Sequence, residues 1–395
     1  MPAEALPRRA DPPQNGGMRI REFGVETWMN RWETRCRFNL AETCVESLTV
    51  DQLLGLAGVE GPAFLEELRG LKLTYGAIEG SDRLRDAIAA LYESIRREDV
   101  LVAHGAIGAN HLVYEALVEP GDRVVSVVPT YQQHTSIPES LGAEVVTLAL
   151  REIDGWRLDL DELRRLATGG AKMIALANPN NPTGALLNET DLREIAAIAD
   201  AVGAWVLCDE VYRGIDQDGS GTTPSIADLY PRGIAVGSMS KAFSLAGLRL
   251  GWIAAPAEVI RAVTVHRDYN TISVGMVDDL LAAIALEHSD AILARSRAIV
   301  RGNLVALDAW VAEESSISYV RPRSGTTALL RYAFDLPSES LCIRLLEERG
   351  VMFTPGSALD MEGYLRIGYA NNPQVLADGL AETSAFFATL GGGSR

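Results

Sequence analysis

Between Asp99 and about Ala255 the chain repeats one pattern, a short and almost wholly apolar run followed by a polar stretch of helical period. The runs are 100–103, 123–127, 144–148, 173–177, 205–208, 234–237 and 252–255, with helical patterns such as 110–118 and 187–202 between them. Strands buried on both faces read as continuous apolar runs. Their alternation with helices leads to an α/β fold, a mainly parallel seven-stranded sheet wrapped by helices.

Past Pro256 the pattern turns helical at 257–267, 277–287 and 290–313, the last long enough to bridge two domains. Strand-like runs at 317–320, 326–330 and 364–367, with helices at 339–349 and 373–387, then describe a smaller α+β domain. Upstream, 19–73 alternates short helical and irregular pieces, with 38–45 extended and Ser47 a candidate N-cap for the helix that follows. The expected division is a flexible arm at 1–17, an N-terminal segment at 18–73 belonging to the small domain, a large domain at 74–290 and a C-terminal small domain at 291–395. The arm lacks the continuous apolar core of a signal peptide, Gly391–Arg395 reads as a tail of low complexity, and no internal repeat is visible. No run of apolar residues is long enough to span a membrane, and four widely spread cysteines read as the reduced thiols of a cytoplasmic protein.

Composition narrows the partners. With 36 Lys+Arg against 53 Asp+Glu the net charge is −17, which repels a phosphate backbone, and no basic patch offsets it. Nucleic acid is not an expected partner. Cys36, Cys44, Cys208 and Cys342 are widely spaced, with no CxxC and no histidine at ligand spacing, which argues for reduced packing thiols and no metal site.

In open parallel sheets ligands gather at the carboxyl ends of the strands. After the first run comes His104-Gly105-Ala106-Ile107-Gly108-Ala109-Asn110, a small-residue turn opening a helix. Its backbone N–H groups could cradle a phosphate, or it is simply a tight turn. After the second stands Tyr131, placed to stack on a planar ring or to fill the core. After the fourth comes Asn178-Pro179-Asn180-Asn181-Pro182-Thr183-Gly184, too polar for core and able to present an amide. After the fifth, Asp209-Glu210-Val211-Tyr212 puts a carboxylate at the end of a buried strand, where it needs a partner: a cationic ring nitrogen or a structural salt bridge. After the sixth, Ser238-Met239-Ser240-Lys241 carries one of only three lysines, with Lys72 and Lys172. A chain that otherwise uses arginine keeps a lysine where an amine must lose its proton and add to a carbonyl, although a solvated loop lysine reads the same way. Arg249 follows eight positions on. Together these match pyridoxal phosphate (PLP), with Lys241 forming the imine, Asp209 keeping the pyridine nitrogen protonated, and Arg249 and Ser238 joining the phosphate cradle.

In order and spacing, Asn178–Gly184, Asp209–Tyr212, Ser238–Lys241 and Gly247-Leu248-Arg249-Leu250-Gly251-Trp252 resemble the class I/II aminotransferases, the fold-type I PLP enzymes, from about Leu40 to Phe387. The resemblance implies that Lys241 is the catalytic residue, carrying PLP and moving a proton at the substrate α-carbon. It implies that Asn181 and Tyr212 contact the ring's phenolic oxygen and that Tyr131 stacks on the ring. The phosphate would be held by Gly105, Ala106, Ile107, Ser238, Ser240 and Arg249. Arg366 in Tyr364-Leu365-Arg366-Ile367-Gly368 would grip the substrate carboxylate. Tyr75 would reach the phosphate of a neighbouring subunit, making the protein a homodimer.

Two stretches depart from the family's common pattern. Ala41-Glu42-Thr43-Cys44-Val45-Glu46 brings two carboxylates where many relatives carry a glycine-bearing strand beside the substrate. Cys44 and Val45 are then candidate substrate contacts with Asn181 and Arg366, and the carboxylates either favour a cationic side chain or, for Glu46, cap the next helix. The loop at 266–273 is also expected to face the pocket. The reading is a PLP-dependent transferase acting on an amino acid, transamination first. Elimination, replacement or cyclisation, as in aminocyclopropane-carboxylate synthase or capreomycidine synthase, is the alternative. A PLP-binding regulator is disfavoured by the acidic charge and by the absence of a recognisable DNA-binding segment ahead of the fold.

Overall fold

The computed structural model describes residues 20–217, 219 and 221–391, so the arm at 1–17 and the tail at 392–395 lie outside the described residues. The seven apolar runs form one sheet: β1 (Val100–Ala103), β2 (Arg123–Val128), β3 (Glu144–Ala149), β4 (Ala171–Ala177), β5 (Trp205–Asp209), β6 (Gly233–Ser238) and β7 (Gly251–Ala254). Their spatial order is β1-β7-β6-β5-β4-β2-β3. Only β7 runs antiparallel to its neighbours. Every residue of β1, β5, β6 and β7 is buried, which is why these runs carry no alternation. β3 closes one edge with an exposed glutamate and threonine among its residues, a surface that discourages further strand pairing.

Because β7 is antiparallel to β6, no crossover helix is needed between them. The connection 239–250 holds only a short 3-10 turn at Ala246–Leu248, so Lys241 stays at the carboxyl end of β6. The helices Gly105–Leu117 and Ala257–Arg267 cover one face of the sheet, and the larger apolar core lies on the other.

Past the 25-residue helix Ser289–Glu313 a second, antiparallel sheet is built from Ile317–Tyr319, Thr327–Tyr332, Tyr364–Gly368 and Thr354–Pro355. Phe38–Asn39 pairs in parallel with Val351–Met352, tying the segment ahead of the large sheet to the C-terminal part. Gly368 makes that tie close: a Cβ there would lie 1.7 Å from the Glu42 carbonyl oxygen, so only glycine lets the 41–44 backbone lie beside the strand carrying Arg366.

Two local expectations change. Thr49, not Ser47, caps the helix Val50–Ala57, because Thr49 and Gln52 have the spacing for a reciprocal capping box. Of the 38–45 stretch only Phe38–Asn39 is a strand. The rest is an irregular turn in which the Asn39 side-chain oxygen accepts from the Ala41 and Glu42 N–H groups, both at 3.1 Å.

Glu210, buried beside β5, has Oε1 bonded to the Ser225 hydroxyl (2.9 Å) and the Ile226 N–H (3.0 Å), while Oε2 has no hydrogen-bond partner. Burial pushes its carboxyl up to about 7, against the pull of Arg213. Folding therefore favours the protonated form: this stability is fully present below the unfolded carboxyl pKa and is lost as pH rises through about 7. Glu210→Gln keeps both accepted bonds and is expected to remove roughly 3 kcal/mol of that pH dependence. Thermal melts of both proteins from pH 5 to 8 should show the variant gaining on the parent as pH rises.

Candidate active site

One cavity of about 270 Å³ opens where the strand ends of the large sheet meet the second sheet. Its lining includes Ala106 and Ile107 from the first turn of Gly105–Leu117, Tyr131 after β2, Asn181 after β4, Asp209 at the end of β5 and Tyr212 just past it, Ser238 at the end of β6, Ser240, Lys241 and Arg249 from the β6–β7 connection, and Arg366 from the second sheet.

Lys241 Nζ donates to the Thr43 hydroxyl (2.7 Å) and lies 3.5 Å from the Cys44 sulfur. Burial pulls its ammonium down, but Cys44, Tyr212 and Glu42 outweigh burial and hold it above the usual lysine range. Glu42 accepts from the Thr43 and Cys44 N–H groups at 2.8 and 2.9 Å. Burial works against its charge, but Lys241 and these bonds keep the carboxyl below the usual range. Burial also pushes the Cys44 thiol up to about 11, so the amine faces a protonated thiol and an ionised carboxylate at neutral pH.

Asp209 Oδ2 accepts from Asn110 Nδ2 (2.8 Å), and Oδ1 from the Val211 N–H (3.2 Å). His134 Nε2 lies 3.8 Å from Oδ2, and its Nδ1 lies 2.9 Å from the Tyr114 hydroxyl. The carboxylate is thus fixed at the end of β5 with no arginine or lysine within ion-pair distance among the described residues. Arg366, only 2% exposed, donates to Asn181 Oδ1 (3.4 Å), the Ala41 carbonyl (3.3 Å) and Thr354 Oγ1 (3.0 Å). Its Nε and the Tyr212 hydroxyl are buried without a hydrogen-bond partner.

The first turn of Gly105–Leu117 needs its glycine, at φ +65°, and a Cβ there would stand 3.2 Å from the Arg249 guanidinium. A Cβ on Gly251 would come within 2.4–2.8 Å of the Gly105 and Ala106 backbone, so β7 can press against this turn only as glycine. Ser238 Oγ accepts from the Ser240 N–H at 3.2 Å. The outcome is a concave wall of backbone N–H groups, hydroxyls and one guanidinium, suited to a dianion.

Several expected residues lie elsewhere. Gly105 supports the wall without lining it. Val45 is fully buried in the core, its N–H donating to the Lys241 carbonyl (3.4 Å), and so offers a substrate nothing. Glu46 does not line the cavity; its charge acts on Arg295 and Thr49 does the capping. The loop at 266–273 is also outside the cavity of this chain: Arg267 turns inward to the Ile78 carbonyl, and Tyr269 is 92% exposed. Tyr75 is 69% exposed and likewise does not line it.

Sequence reasoning missed Val25, Glu26, Met29, Glu33, Thr43, Asn110 and Gln133, all of which line the cavity. The first four belong to the helix Gly24–Trp32 and its C-cap Glu33, which pack over the site. Glu26 accepts from the Tyr131 hydroxyl at 2.6 Å, and the Phe23 and Tyr131 rings lie 4.7 Å apart. The spacing of Glu26, Met29 and Glu33 puts them on one helix face, but nothing in the spacing says what that face meets.

The model of the family "Aminotransferase class I and II" matches residues 62–383. Capreomycidine synthase of Streptomyces vinaceus is 31% identical over 377 residues, covering 94% of this chain and 95% of that protein. The crystal structure of a PLP-dependent aminotransferase from Streptococcus suis 89-1591 superposes with a TM-score of 0.91 at 43% identity, over 94% of this chain and 99% of that one. The structure of a PLP-dependent cyclase, OrfR, does so at 0.86 and 28% identity, over 97% and 99%.

Proposed function

This chain belongs to the class I and II aminotransferases, PLP-dependent enzymes that act on amino acids, and from that premise we propose a role for each residue of the cavity. PLP supplies an aldehyde that an amine can take up and a protonated pyridine ring that draws electron density from the substrate α-carbon. The residues fit it on three counts. The Gly105–Ile107 turn with Ser238, Ser240 and Arg249 offers a dianion cradle that a Cβ at Gly105 or Gly251 would fill. Asp209 is a fixed carboxylate with no arginine or lysine within ion-pair distance among the described residues, suited to a ring N–H⁺. The unpartnered Tyr212 hydroxyl, with Asn181 beside it in the lining, suits a phenolic oxygen.

Lys241 Nζ is the amine that holds the cofactor and, once displaced by the substrate's amino group, the base that moves the α-proton. Thr43 Oγ1, 2.7 Å away, orients it. Tyr131 stacks on the ring with its hydroxyl tied to Glu26. Arg366 binds the α-carboxylate, its Nε still having a bond to give. Val25 and Met29 cover the cavity and exclude water. The reading extends to a homodimer in which Tyr75, outside its own cavity, reaches the neighbour's phosphate, to the division into arm, N-terminal segment, large and small domains, and to a cytoplasmic enzyme.

The observation that carries PLP-dependent chemistry at an amino acid's α-carbon is the meeting of Lys241, Asp209 and Arg366, from three distant parts of the sequence, around one cavity, and the aminotransferase family match favours transamination among its outcomes. The test is a single turnover of the PLP-loaded protein with an amino acid and no keto acid acceptor. Transamination yields keto acid and pyridoxamine phosphate in equal amounts. Similarity to capreomycidine synthase and to the cyclase OrfR over more than nine-tenths of the chain favours elimination or cyclisation as the second reading. Ammonia or a cyclised product without pyridoxamine phosphate would select it.

A further inference from the structure

We propose that Glu26, Glu33 and Glu42 form a subsite for a cationic group at the end of the substrate side chain, so that the substrate is a basic amino acid. The proposal rests on the assignment of the cavity as the PLP and substrate site.

Four carboxylates line the cavity, Glu26, Glu33, Glu42 and Asp209, against three cations, Lys241, Arg249 and Arg366. The cationic side is already committed. Arg249 faces the phosphate cradle, Lys241 the carbonyl of the cofactor, and Arg366 a carboxylate through its buried, unpartnered Nε. With the protonated ring nitrogen set against Asp209 and Arg366 set against the α-carboxylate, the phosphate dianion exceeds the single charge of Arg249 and the three glutamates are left without a cation. A neutral substrate leaves that charge uncompensated, an acidic one worsens it, and a basic side chain offsets it.

The three glutamates are free to take the cation. Among the described residues none has a lysine, arginine or histidine nitrogen within ion-pair distance, although surface carboxylates elsewhere on this chain commonly do. Glu42 is held by two backbone N–H bonds and kept ionised, so it is a preformed acceptor. Glu26 is aimed by its bond to Tyr131. Glu33 stands seven residues further along the same helix face, at the solvent end. Met29 lies between them and Val25 beside Glu26, an apolar strip along which methylenes can run. The Tyr212 hydroxyl and Arg366 Nε, both buried and unpartnered in the same lining, mark the cavity as built for a ligand.

Initial rates of the PLP-loaded enzyme with arginine, ornithine, norleucine and glutamate test this, with Glu33→Gln and Glu33→Lys beside the parent protein. The parent should have kcat/KM for the best basic amino acid at least about 10-fold above norleucine, with glutamate lowest. Glu33→Gln should cut the basic-to-norleucine ratio several-fold, mainly through KM, and Glu33→Lys should cut it further while raising glutamate. Glu33 stands on an exposed helix cap, so both variants should fold, and retained PLP absorbance confirms it. Equal rates for basic and neutral substrates, or a ratio unmoved in both variants, would overturn the subsite. Failure of the underlying assignment would look different: no PLP bound, or no reaction with any amino acid.

Discussion

Lys241→Ala is expected to abolish turnover, lowering kcat by at least about 10⁴-fold, because one atom, Nζ, serves both as the amine that carries the cofactor and as the base at the α-carbon. The variant should still bind PLP through the phosphate wall and Asp209, but reversibly, so that dialysis strips it. A small added amine should restore part of the rate, because the cavity left by the propylammonium lost beyond Cβ opens beside Thr43 and Cys44, where such an amine can hydrogen-bond. Removing Thr43, which only orients Nζ, should cost far less. Steady-state kinetics with and without methylamine check the prediction, and a Lys241→Ala protein with more than a hundredth of the parent rate would contradict the assignment.

Asp209→Asn is expected to lower kcat by about 10²- to 10⁴-fold, the range seen when a preorganised charge at the reacting system is removed. The substitution keeps volume and, with its single oxygen toward Asn110, the shorter of the two accepted bonds while giving up the one from the Val211 N–H, so the fold should tolerate it. What it loses is the one buried negative charge at the end of β5, and with it the means of holding a proton on a ring nitrogen. Asp209→Glu should not restore the rate. His134, wedged between the Tyr114 hydroxyl and Oδ2, and Asn110 leave no room to shift the carboxylate outward by a methylene. The measurements are kcat and the PLP dissociation constant for both variants. Full activity in the asparagine variant would mean the electron sink is maintained by another group.

Much of this was legible in the sequence, for a physical reason. A strand buried on both faces must be apolar throughout, so the seven runs stand out, and the polar residues that follow each run mark the strand ends where the cavity forms. Asn181, Asp209, Tyr212, Ser238 and Lys241 were found because each ends a strand or follows one by only a few positions, and Arg249 because it stands eight positions past Lys241 in the same connection. Arg366 stood out as a charge inside an apolar strand. The misses share the opposite property. Glu26 and Glu33 lie on a short amphipathic helix that reads as a surface helix, and only tertiary packing brings it over residues more than a hundred positions away, such as Tyr131. Glu42 and Glu46 are four apart in an irregular turn, where no periodicity says which one faces the cavity. The Glu42 N–H donating to the Asn39 side-chain oxygen and the Glu46 N–H donating to the Ala370 carbonyl decide it.

The most direct test of the central claim, that Lys241 Nζ carries the cofactor in this cavity, is to reduce the purified PLP-loaded protein with borohydride, digest it and map the modified peptide by mass spectrometry. A pyridoxyl group on Lys241, displaced beforehand by adding a reactive amino acid, is the expected result. A pyridoxyl group on Lys72 or Lys172, or no covalent adduct in a protein that still turns over amino acids, would contradict it.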